Sequence, residues 1–592
     1  MSSLLTNNSA NSLFAVDDMQ ESHQLTSLLF SKYPSLNHPV ISDFTYSIPS
    51  NFSHAVTRTL YTANSINDDI LSNRIKLKNF IEKFHMEAGT INADIYKTIE
   101  LLTDPSTKIF VSAHQPNLFA YGGVFKKIVL LQTLKNALME KQARLKNIIN
   151  LFLVVDSDFL DETWIRIAQL PSVKHKSGIL ELRLPISKSE RWQIASTIPI
   201  PKRTILEYWR KQITSWIADS SALGVTTSGY NKSNLLSNFE EFWQQVELAY
   251  SKAKSYADFN SFLMSQIVNN VWGYDTLFVR LTDISPVFED GFKYLISNFK
   301  AYSDSLRKAE DLFLRNDIDT GVSSSSYLNA PVWVHCNKCG SKASVNINEK
   351  QMQQGGEIDK SKQPEFITLD GNCTSCKRHV QVNLGKKGEL ELLNQKEVIY
   401  QLSPRAIPII LLLSRELGIM CYVSGTAGIR YILYGSLAFK QSSSNTPLTL
   451  VWPSKDVYYG IGQSEALELV GLAKHSEVIP YLESLKQKDA EYSNKLMLLI
   501  CERSNRVNAG EPVQTLLSDI VDLKEECRRI RHLITIVDKV KNAVNLSPCF
   551  IDYAVNFGMI NTERQWRQNL LNSNSLSVPL IIMHNKTELN YS

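Results

Sequence analysis

Two Cys-x-x-Cys pairs are the residues of this 592-residue sequence that most directly predict a chemistry. HCNKCGS contains Cys336 and Cys339, and GNCTSCKRH contains Cys373 and Cys376. Each pair lets a tight turn present two thiolates to one ion, and two pairs complete the closed tetrahedral site of a structural zinc. Gly340 follows the first pair, where such a turn often needs a positive φ. We therefore predict a structural Zn²⁺ site, with an iron–sulfur centre or a redox pair as alternatives.

A second group of polar residues lies in KIFVSAHQPNLFAYGGVFKKIVLL, residues 108 to 131. This stretch begins with the β-branched, apolar pattern of a buried strand and ends with apolar residues at helical spacing. The residues between strand and helix, with one lysine in the first helical turn, are candidates to bind a substrate or nucleotide: Gln115, Asn117, Gly122, Gly123 and Lys127. His114 is a candidate catalytic acid or base with an ordinary pKa near 6.5. A plain turn histidine is the alternative interpretation.

Two further loops follow apolar strands. Asp156 and Asp158 end the strand IINLFLVVDSDF and are candidates to orient an amine or Mg²⁺, although an aspartate at a strand end is commonly a helix cap. Ser424, Gly425 and Thr426 end a later strand and form a third small-residue loop, a weak motif when taken alone. Ligands of open α/β sheets bind beyond the carboxyl ends of the strands, beside helix N-termini that attract anions. We therefore expect the three loops to form one cleft.

The elements that position these residues predict an α/β protein. Strand, helix and strand within about 50 residues form a βαβ unit, which requires a parallel sheet. We predict a discontinuous Rossmann-like core with a helical insertion, a four-cysteine zinc-ribbon insertion and a C-terminal helical or coiled-coil region. The predicted segments are 1–105 (mainly helical), 106–200 (first core part), 201–327 (helical insertion), 328–395 (zinc ribbon), 396–460 (second core part) and 461–592 (C-terminal helices).

Composition and charge leave the partners open. The net charge of +4 does not demand nucleic acid or an acidic membrane, and the longest apolar runs are shorter than the ~20 residues of a membrane-spanning helix. We expect a cytoplasmic protein, in which cysteines serve as metal ligands and buried thiols. Leu516, Ile520 and Leu523 begin a heptad seam of about three repeats, which predicts either an amphipathic helix on the core or a coiled coil that forms a homodimer.

The loop motifs resemble those of the bacillithiol biosynthesis cysteine-adding enzyme family. That family has a Gln-Gln-Pro-Gly-Leu-Phe-Gly-Gly loop, a strand ending in Asp-His-Asp-Phe, and later Leu-Ser-Pro and Tyr-Val-Gly-Gly-Pro-Gly-Glu segments. The counterparts here are HQPNLFAYGG (114–123), DSDFLDE (156–162), LSPRAI (402–407) and YVSGTAGIRY (422–431), in the same order. The resemblance covers about 105–170 and 400–455.

The resemblance implies a ligase that joins cysteine to a small amine, with an amino-acid substrate, an amine substrate and ATP or ADP with Mg²⁺ as its nucleotide and metal. Three residues depart from the family pattern: Ser157 replaces a histidine, Gly428 a glutamate and Thr426 a proline. The cysteine module is not typical of the family. The alternative hypothesis is a non-catalytic zinc-ribbon scaffold on a degenerate enzyme core, with RNA or another protein as its partner; nucleic acid is the less favoured partner.

Overall fold

The structure is a computed structural model of the chain. It describes residues 48–49, 51–62, 66–141, 147–224, 230–316, 322, 325–351, 365–390, 396–425, 428–440, 446–452, 456–572 and 580–582. Among these residues, no helix is both long and apolar enough to cross a membrane.

A five-stranded parallel sheet forms the centre of the described chain. Its strands are β1 (Lys108–His114), β2 (Ile148–Val154), β5 (Leu277–Arg280), β12 (Ile419–Ser424) and β13 (Leu448–Val451). The spatial order is β13-β12-β1-β2-β5, and every pairing is parallel. Along the chain, β2 and β5 extend the sheet on one side of β1, and β12 and β13 then extend it on the other side. This confirms the predicted parallel sheet and places the reversal of strand order between β1 and β12.

Helices cover both faces of the sheet because the strands are apolar on both faces. Phe110 and Phe152 pack into one hydrophobic cluster, whereas Ile109, Val111 and Leu151 pack into another on the opposite face. The helices before and between the first strands are α1 (Phe52–Tyr61), α2 (Asp68–Ala88), α3 (Ala93–Glu100) and α4 (Gly122–Lys141). A short helix, α5 (Thr163–Arg166), and the hairpin of β3 (Ile167–Pro171) and β4 (Ile179–Arg183) follow β2.

In the described parts of 201–327, five helices of nine or more residues accompany one strand of the core. The helices are α6 (Arg203–Gly224), α7 (Lys232–Lys252), α8 (Tyr256–Ser265, continued by a π-helical turn to Val271), α9 (Glu289–Ser297) and α10 (Phe299–Leu314). The sequence analysis assigned this range to a helical insertion and missed β5. Four residues between helical patterns are too few to show a strand period.

Three of the four cysteines lie in turns of a six-stranded antiparallel sheet, and Cys373 ends one of its strands. After the short helix α11 (Ser325–Leu328), its strands in chain order are β6 (Val332–His335), β7 (Lys342–Gln351), β8 (Glu365–Cys373), β9 (His379–Lys386), β10 (Glu389–Leu390) and β11 (Leu402–Pro404). A short helix, α12 (Lys396–Ile399), precedes β11. The Leu-Ser-Pro segment is thus paired with β6 of this sheet, so the central sheet resumes only after α13 (Pro408–Leu417).

The C-terminal region is helical and returns to the core. Its elements are α14 (Ile429–Lys440), β14 (Asp456–Tyr458), α15 (Ile461–Leu469), α16 (His475–Asn508), α17 (Gln514–Asn545), α18 (Phe550–Phe557), α19 (Met559–Asn572) and β15 (Leu580–Ile582). The predicted seam lies in α17, which packs antiparallel on α16: Arg531 pairs with Asp489 at 2.9 Å. Leu516 and Ile520 are buried there, within one chain.

Candidate ligand cleft and metal centre

The four predicted metal ligands lie together. Their sulfur atoms are all within 4.8 Å of one another, with Cys336 Sγ 3.7 Å from Cys376 Sγ and Cys339 Sγ 3.5 Å from Cys373 Sγ. A tetrahedron with Zn–S bonds of about 2.3 Å has S···S edges of roughly 3.8 Å, so the thiols fit a metal ion of this size. The cluster can therefore hold a metal ion, as the spacing predicts.

The local backbone explains how each pair converges. Gly340 has φ of 68°, which confirms the positive φ predicted after the first pair, and Lys377 has φ of 59° at the equivalent position after the second. The Gly340 N–H donates to the Cys336 carbonyl at 3.1 Å, and the Lys377 N–H to the Cys373 carbonyl at 3.2 Å. Both pairs thus adopt the same tight turn, which leaves their side chains on one side.

His114 ends β1 and is enclosed by protein. Its Nδ1 lies 3.0 Å from the Gln115 carbonyl, and its Nε2 lies 3.0 Å from the Tyr121 hydroxyl. The tautomer that fits donates from Nδ1 and accepts at Nε2. Burial, and then the positive charge of Lys127, lower the pKa of His114 to about 3. The expected pKa near 6.5 is wrong for this side chain, so His114 is neutral at pH 7 and is not a ready acid.

The loop after His114 is held by apolar packing. Phe119 has φ of 48°, and its ring is buried against Trp209 and Phe259 from the helices of segment 201–327. The Asn117 amide donates to the Trp164 carbonyl at 3.1 Å, which ties this loop to the loop after β2. The aromatic residues of the 201–327 segment thus fix the turn that displays His114.

The glycines of this loop serve packing. A Cβ on Gly122 would lie 2.6 Å from the Tyr553 ring of α18, and the Gly122 N–H donates to the Pro548 carbonyl at 3.2 Å. Gly123 is buried in the first turn of α4. From sequence, both glycines are candidates to bind a substrate or nucleotide, which would come close to the backbone. At Gly122, however, the group in close contact is Tyr553 of the C-terminal helices. The sequence pattern alone does not predict that contact.

Asp156 joins the ends of two strands. Its carboxylate accepts from the Thr282 N–H at 3.0 Å and from the Thr282 hydroxyl, just beyond β5. Burial raises the pKa of Asp156 to about 6, against the lowering effect of these hydrogen bonds. The side chain is fully buried. This position gives Asp156 a structural role in holding β2 to β5, and it does not present oxygens for the predicted amine or Mg²⁺.

Asp158 connects the loop to the cysteine module. It accepts from the Gln115 amide at 2.9 Å and from the Lys342 ammonium at 3.0 Å. Burial acts to raise the pKa of Asp158, but the charge of Lys342 and the hydrogen bonds prevail and lower it. The Lys342 ammonium also lies 4.4 Å from the centre of the Phe159 ring. Because Lys342 lies three residues after Cys339, the metal turn and the candidate cleft share one network.

The two lysines in the second turn of α4 differ in their surroundings. Lys126 is buried and pairs with Asp456 at 2.6 Å. Lys127 is 7% exposed, and its ammonium donates to the Ala113 carbonyl at 3.3 Å. Among the described residues no carboxylate forms an ion pair with Lys127, and burial alone lowers the pKa of its ammonium to about 8. Within the described part of the chain, Lys127 is thus a buried cation with no compensating anion.

Lys127 lies where the strand order of the sheet reverses. It bonds the end of β1, and a Cβ on Gly425, directly after the adjacent β12, would lie 3.4 Å from Lys127 Cε. Ser424 is buried, and its hydroxyl donates to the Gly425 carbonyl at 2.9 Å. Thr426 lies outside the described residues. Of the predicted cleft residues, Lys127, Ser424 and Gly425 therefore come together at the reversal point.

Sequence reasoning missed several residues beside this cleft. Tyr121 bonds His114, and the Trp164 ring lies 5.6 Å from the His114 ring, centre to centre. A signal for Trp164 was available, since an aromatic residue follows the aspartate loop in DSDFLDETWIR. No local pattern could reveal Lys342, whose partner Asp158 is 184 residues away in the chain.

Comparison with protein-family models found no match for this chain, and a search of curated proteins found no significantly similar sequence. The likeness to the cysteine-adding enzymes therefore rests on the short motifs alone.

Proposed function

We propose that the chain is a nucleotide-using ligase or transferase that joins an activated amino-acid carboxylate to a small amine. The observation that carries the proposal is Lys127, a buried ammonium with no carboxylate partner among the described residues, at the carboxyl end of β1. A desolvated cation is costly unless an anion compensates it, and a phosphate or carboxylate of a ligand would do so.

The topology supports the same location. If the five strands are numbered along the chain, their order in space is 3-2-1-4-5, the order of Rossmann-like doubly wound sheets. In such sheets nucleotides bind at the carboxyl ends of the strands where the order reverses, here between β1 and β12. Both Lys127 and Gly425 lie at this point.

The chemistry follows from the motifs that resemble cysteine-adding enzymes. A carboxylate oxygen attacks a phosphorus of ATP, and the P–O bond to the departing pyrophosphate or ADP breaks. The amine nitrogen then attacks the activated acyl carbon, the acyl C–O bond breaks with release of AMP or phosphate, and the nitrogen loses a proton to solvent as the amide forms. Lys127 would stabilise the charge on the transferred or departing phosphate. His114, being neutral, would hold the Tyr121 hydroxyl in place through its Nε2 and would not transfer the proton itself.

Zn²⁺ is the metal that we propose for the cysteine cluster. Four thiolates close the coordination sphere, so the ion has a structural role. Through Lys342 it would fix the position of Asp158 and Gln115 at the cleft.

A non-catalytic binding protein is the second candidate. It is favoured by the internal partners of the three predicted catalytic residues: His114 bonds Tyr121, Asp156 bonds Thr282 and Asp158 bonds Lys342. In this case RNA or a protein would bind the zinc module and turnover would be absent.

Thermal unfolding of the zinc-loaded protein with ATP, ADP, AMP and cysteine, with and without Mg²⁺, separates the candidates. A nucleotide at 100 times its Kd adds about 2.7 kcal/mol, which for 592 residues raises the midpoint by about 2 °C. We expect this rise in the wild type and in Lys486→Met, a control on the exposed face of α16, but not in Lys127→Met. If no nucleotide raises the unfolding midpoint, and the protein retains RNA in a salt-sensitive manner, the binding-protein candidate is favoured.

A further inference from the structure

Two arginines beside the predicted cleft contain buried nitrogen atoms with no hydrogen-bond partner in the part of the chain that the structure describes. Arg166 is 9% exposed, and its Nη1 has no hydrogen-bond partner among the described residues. The same holds for Nε of Arg191, in the short 3₁₀ turn Glu190–Trp192. A buried guanidinium nitrogen without an acceptor is unfavourable, so these atoms indicate a place where an acceptor from a ligand would be stabilising.

The backbone brings a third arginine to the same place. In the β3–β4 hairpin the backbone of Arg183 lies opposite that of Ile167, the residue after Arg166. The Leu184 N–H donates to the Arg166 carbonyl at 2.9 Å. The segment with Arg191 lies across the loop after β2, because Ile194 forms an isolated bridge with Phe159.

Arg183 and Arg191 lie close enough to Arg166 to act on its charge. Burial, and then the charges of Arg191 and Arg183, lower the pKa of Arg166, while Asp161 and Glu162 oppose this with weaker effects. Arg183 also pairs with Glu181. Each of these two arginines thus acts on Arg166 more strongly than Asp161 or Glu162 does, while Arg183 has its own counter-ion in Glu181.

We propose that Arg166, Arg183 and Arg191 form a phosphate-binding subsite at the edge of the cleft. One guanidinium matches one carboxylate in a two-pronged pair, whereas several guanidiniums suit a phosphate, which has more acceptor oxygens and more charge. The rings of Trp164 and Trp192 are 36% and 43% exposed and flank the arginines in sequence, so they offer surfaces for a planar part of the same ligand. Trp164 also contacts the His114 ring, which places the subsite beside the cleft.

This subsite is separate from Lys127 and does not depend on the ligase proposal. The experiment is calorimetric titration of inorganic pyrophosphate into the full-length, zinc-loaded Lys127→Met protein, in which the Lys127 site is removed. We expect saturable binding that Arg191→Gln weakens about tenfold or more, because a charge-assisted hydrogen bond is lost. Arg166→Lys, which keeps the charge and loses the planar fork, should also weaken it.

Arg528→Gln on α17 is the matched control, since it removes one positive charge from an exposed ion pair far along the chain; its affinity should equal that of the parent. Pyrophosphate binding unchanged by Arg191→Gln and Arg166→Lys, or no pyrophosphate binding at all, would overturn the proposal. Succinate binding as tight as that of pyrophosphate would overturn the assignment to phosphate in favour of a dicarboxylate. Because the parent protein already lacks Lys127, none of these outcomes bears on the nucleotide proposal.

Discussion

Replacing Lys127 by methionine should make the protein more stable at neutral pH. The pKa of the buried ammonium falls from 10.5 to about 8, which corresponds to a cost of about 3 kcal/mol for holding the charged form at pH 7. Methionine has a similar length and no charge, so the variant avoids this cost. It loses the hydrogen bond to the Ala113 carbonyl, worth about 1 kcal/mol. The net gain is about 2 kcal/mol, or a midpoint about 2 °C higher for a chain of this length.

The pH dependence of the free energy of unfolding tests whether the charge of Lys127 causes this difference in stability. Between pH 8 and 10.5 the unfolded chain binds a proton at this lysine that the folded chain does not, so wild-type stability gains from rising pH in this window. The free-energy cost of burying the charged ammonium is present in full below about pH 8 and has fallen to roughly half by pH 9.5. Differential scanning calorimetry of both proteins at pH 7 and pH 9.5 should therefore show the advantage of Lys127→Met shrinking as pH rises.

The neighbouring lysine provides the matched comparison. Lys126→Met leaves the buried Asp456 without its cation and should cost about 3–5 kcal/mol, so it should lower the midpoint. A Lys127→Met protein that is less stable than the wild type at both pH values would refute the reasoning, since it would mean that Lys127 already has a compensating anion within the chain.

Three other changes test the positions of the remaining residues. Gly122→Ala should destabilise the protein by about 1–3 kcal/mol and lower the unfolding midpoint measured by calorimetry, because its Cβ would meet the Tyr553 ring at 2.6 Å. The control Gly425→Ala, whose Cβ would have no atom nearer than 3.4 Å, should fold normally, and equal midpoints for the two variants would contradict this packing. Asp156→Asn should gain stability relative to the wild type as pH rises from 4 to 6, because the folded wild type holds the proton of Asp156 up to about pH 6. If the difference in unfolding free energy between the two proteins does not change with pH, this carboxyl is not desolvated. Cys373→Ser with Cys376→Ser should reduce bound zinc, measured by atomic absorption, from one ion per chain to none and should weaken nucleotide binding through Lys342; full zinc content would contradict the four-cysteine site.

The parts of the fold that could be predicted from sequence are those with local signals. The Cys-x-x-Cys spacing identified four thiols that do converge, and Gly340 marked the turn that needs a positive φ. The apolar runs ending at His114 and near Asp156 identified β1 and β2 and the parallel sheet. In each case the residues that decide the structure lie within a few positions of one another.

What could not be predicted depends on contacts between distant segments. β5 has only four residues, so it was hidden among helical patterns until its pairing with β2 was known. Gly122 was open to two interpretations, and only the return of Tyr553 from the C-terminal region decides between them. The pKa of His114 likewise depends on burial by several loops, which no local pattern expresses. The candidate residues were thus placed at strand ends from local patterns, whereas their contacts required the tertiary structure.

The most direct test of the central claim is equilibrium dialysis of labelled ATP against the wild type and Lys127→Met at pH 7 and pH 9. The wild type should bind one nucleotide at pH 7 and bind about tenfold more weakly at pH 9, where an ammonium with a pKa of about 8 is mostly neutral before the anion arrives. Lys127→Met should bind weakly at both pH values and show no such dependence. Equal affinity of the two proteins at pH 7 would contradict the account, because the buried charge at the reversal of the sheet would then have no part in binding.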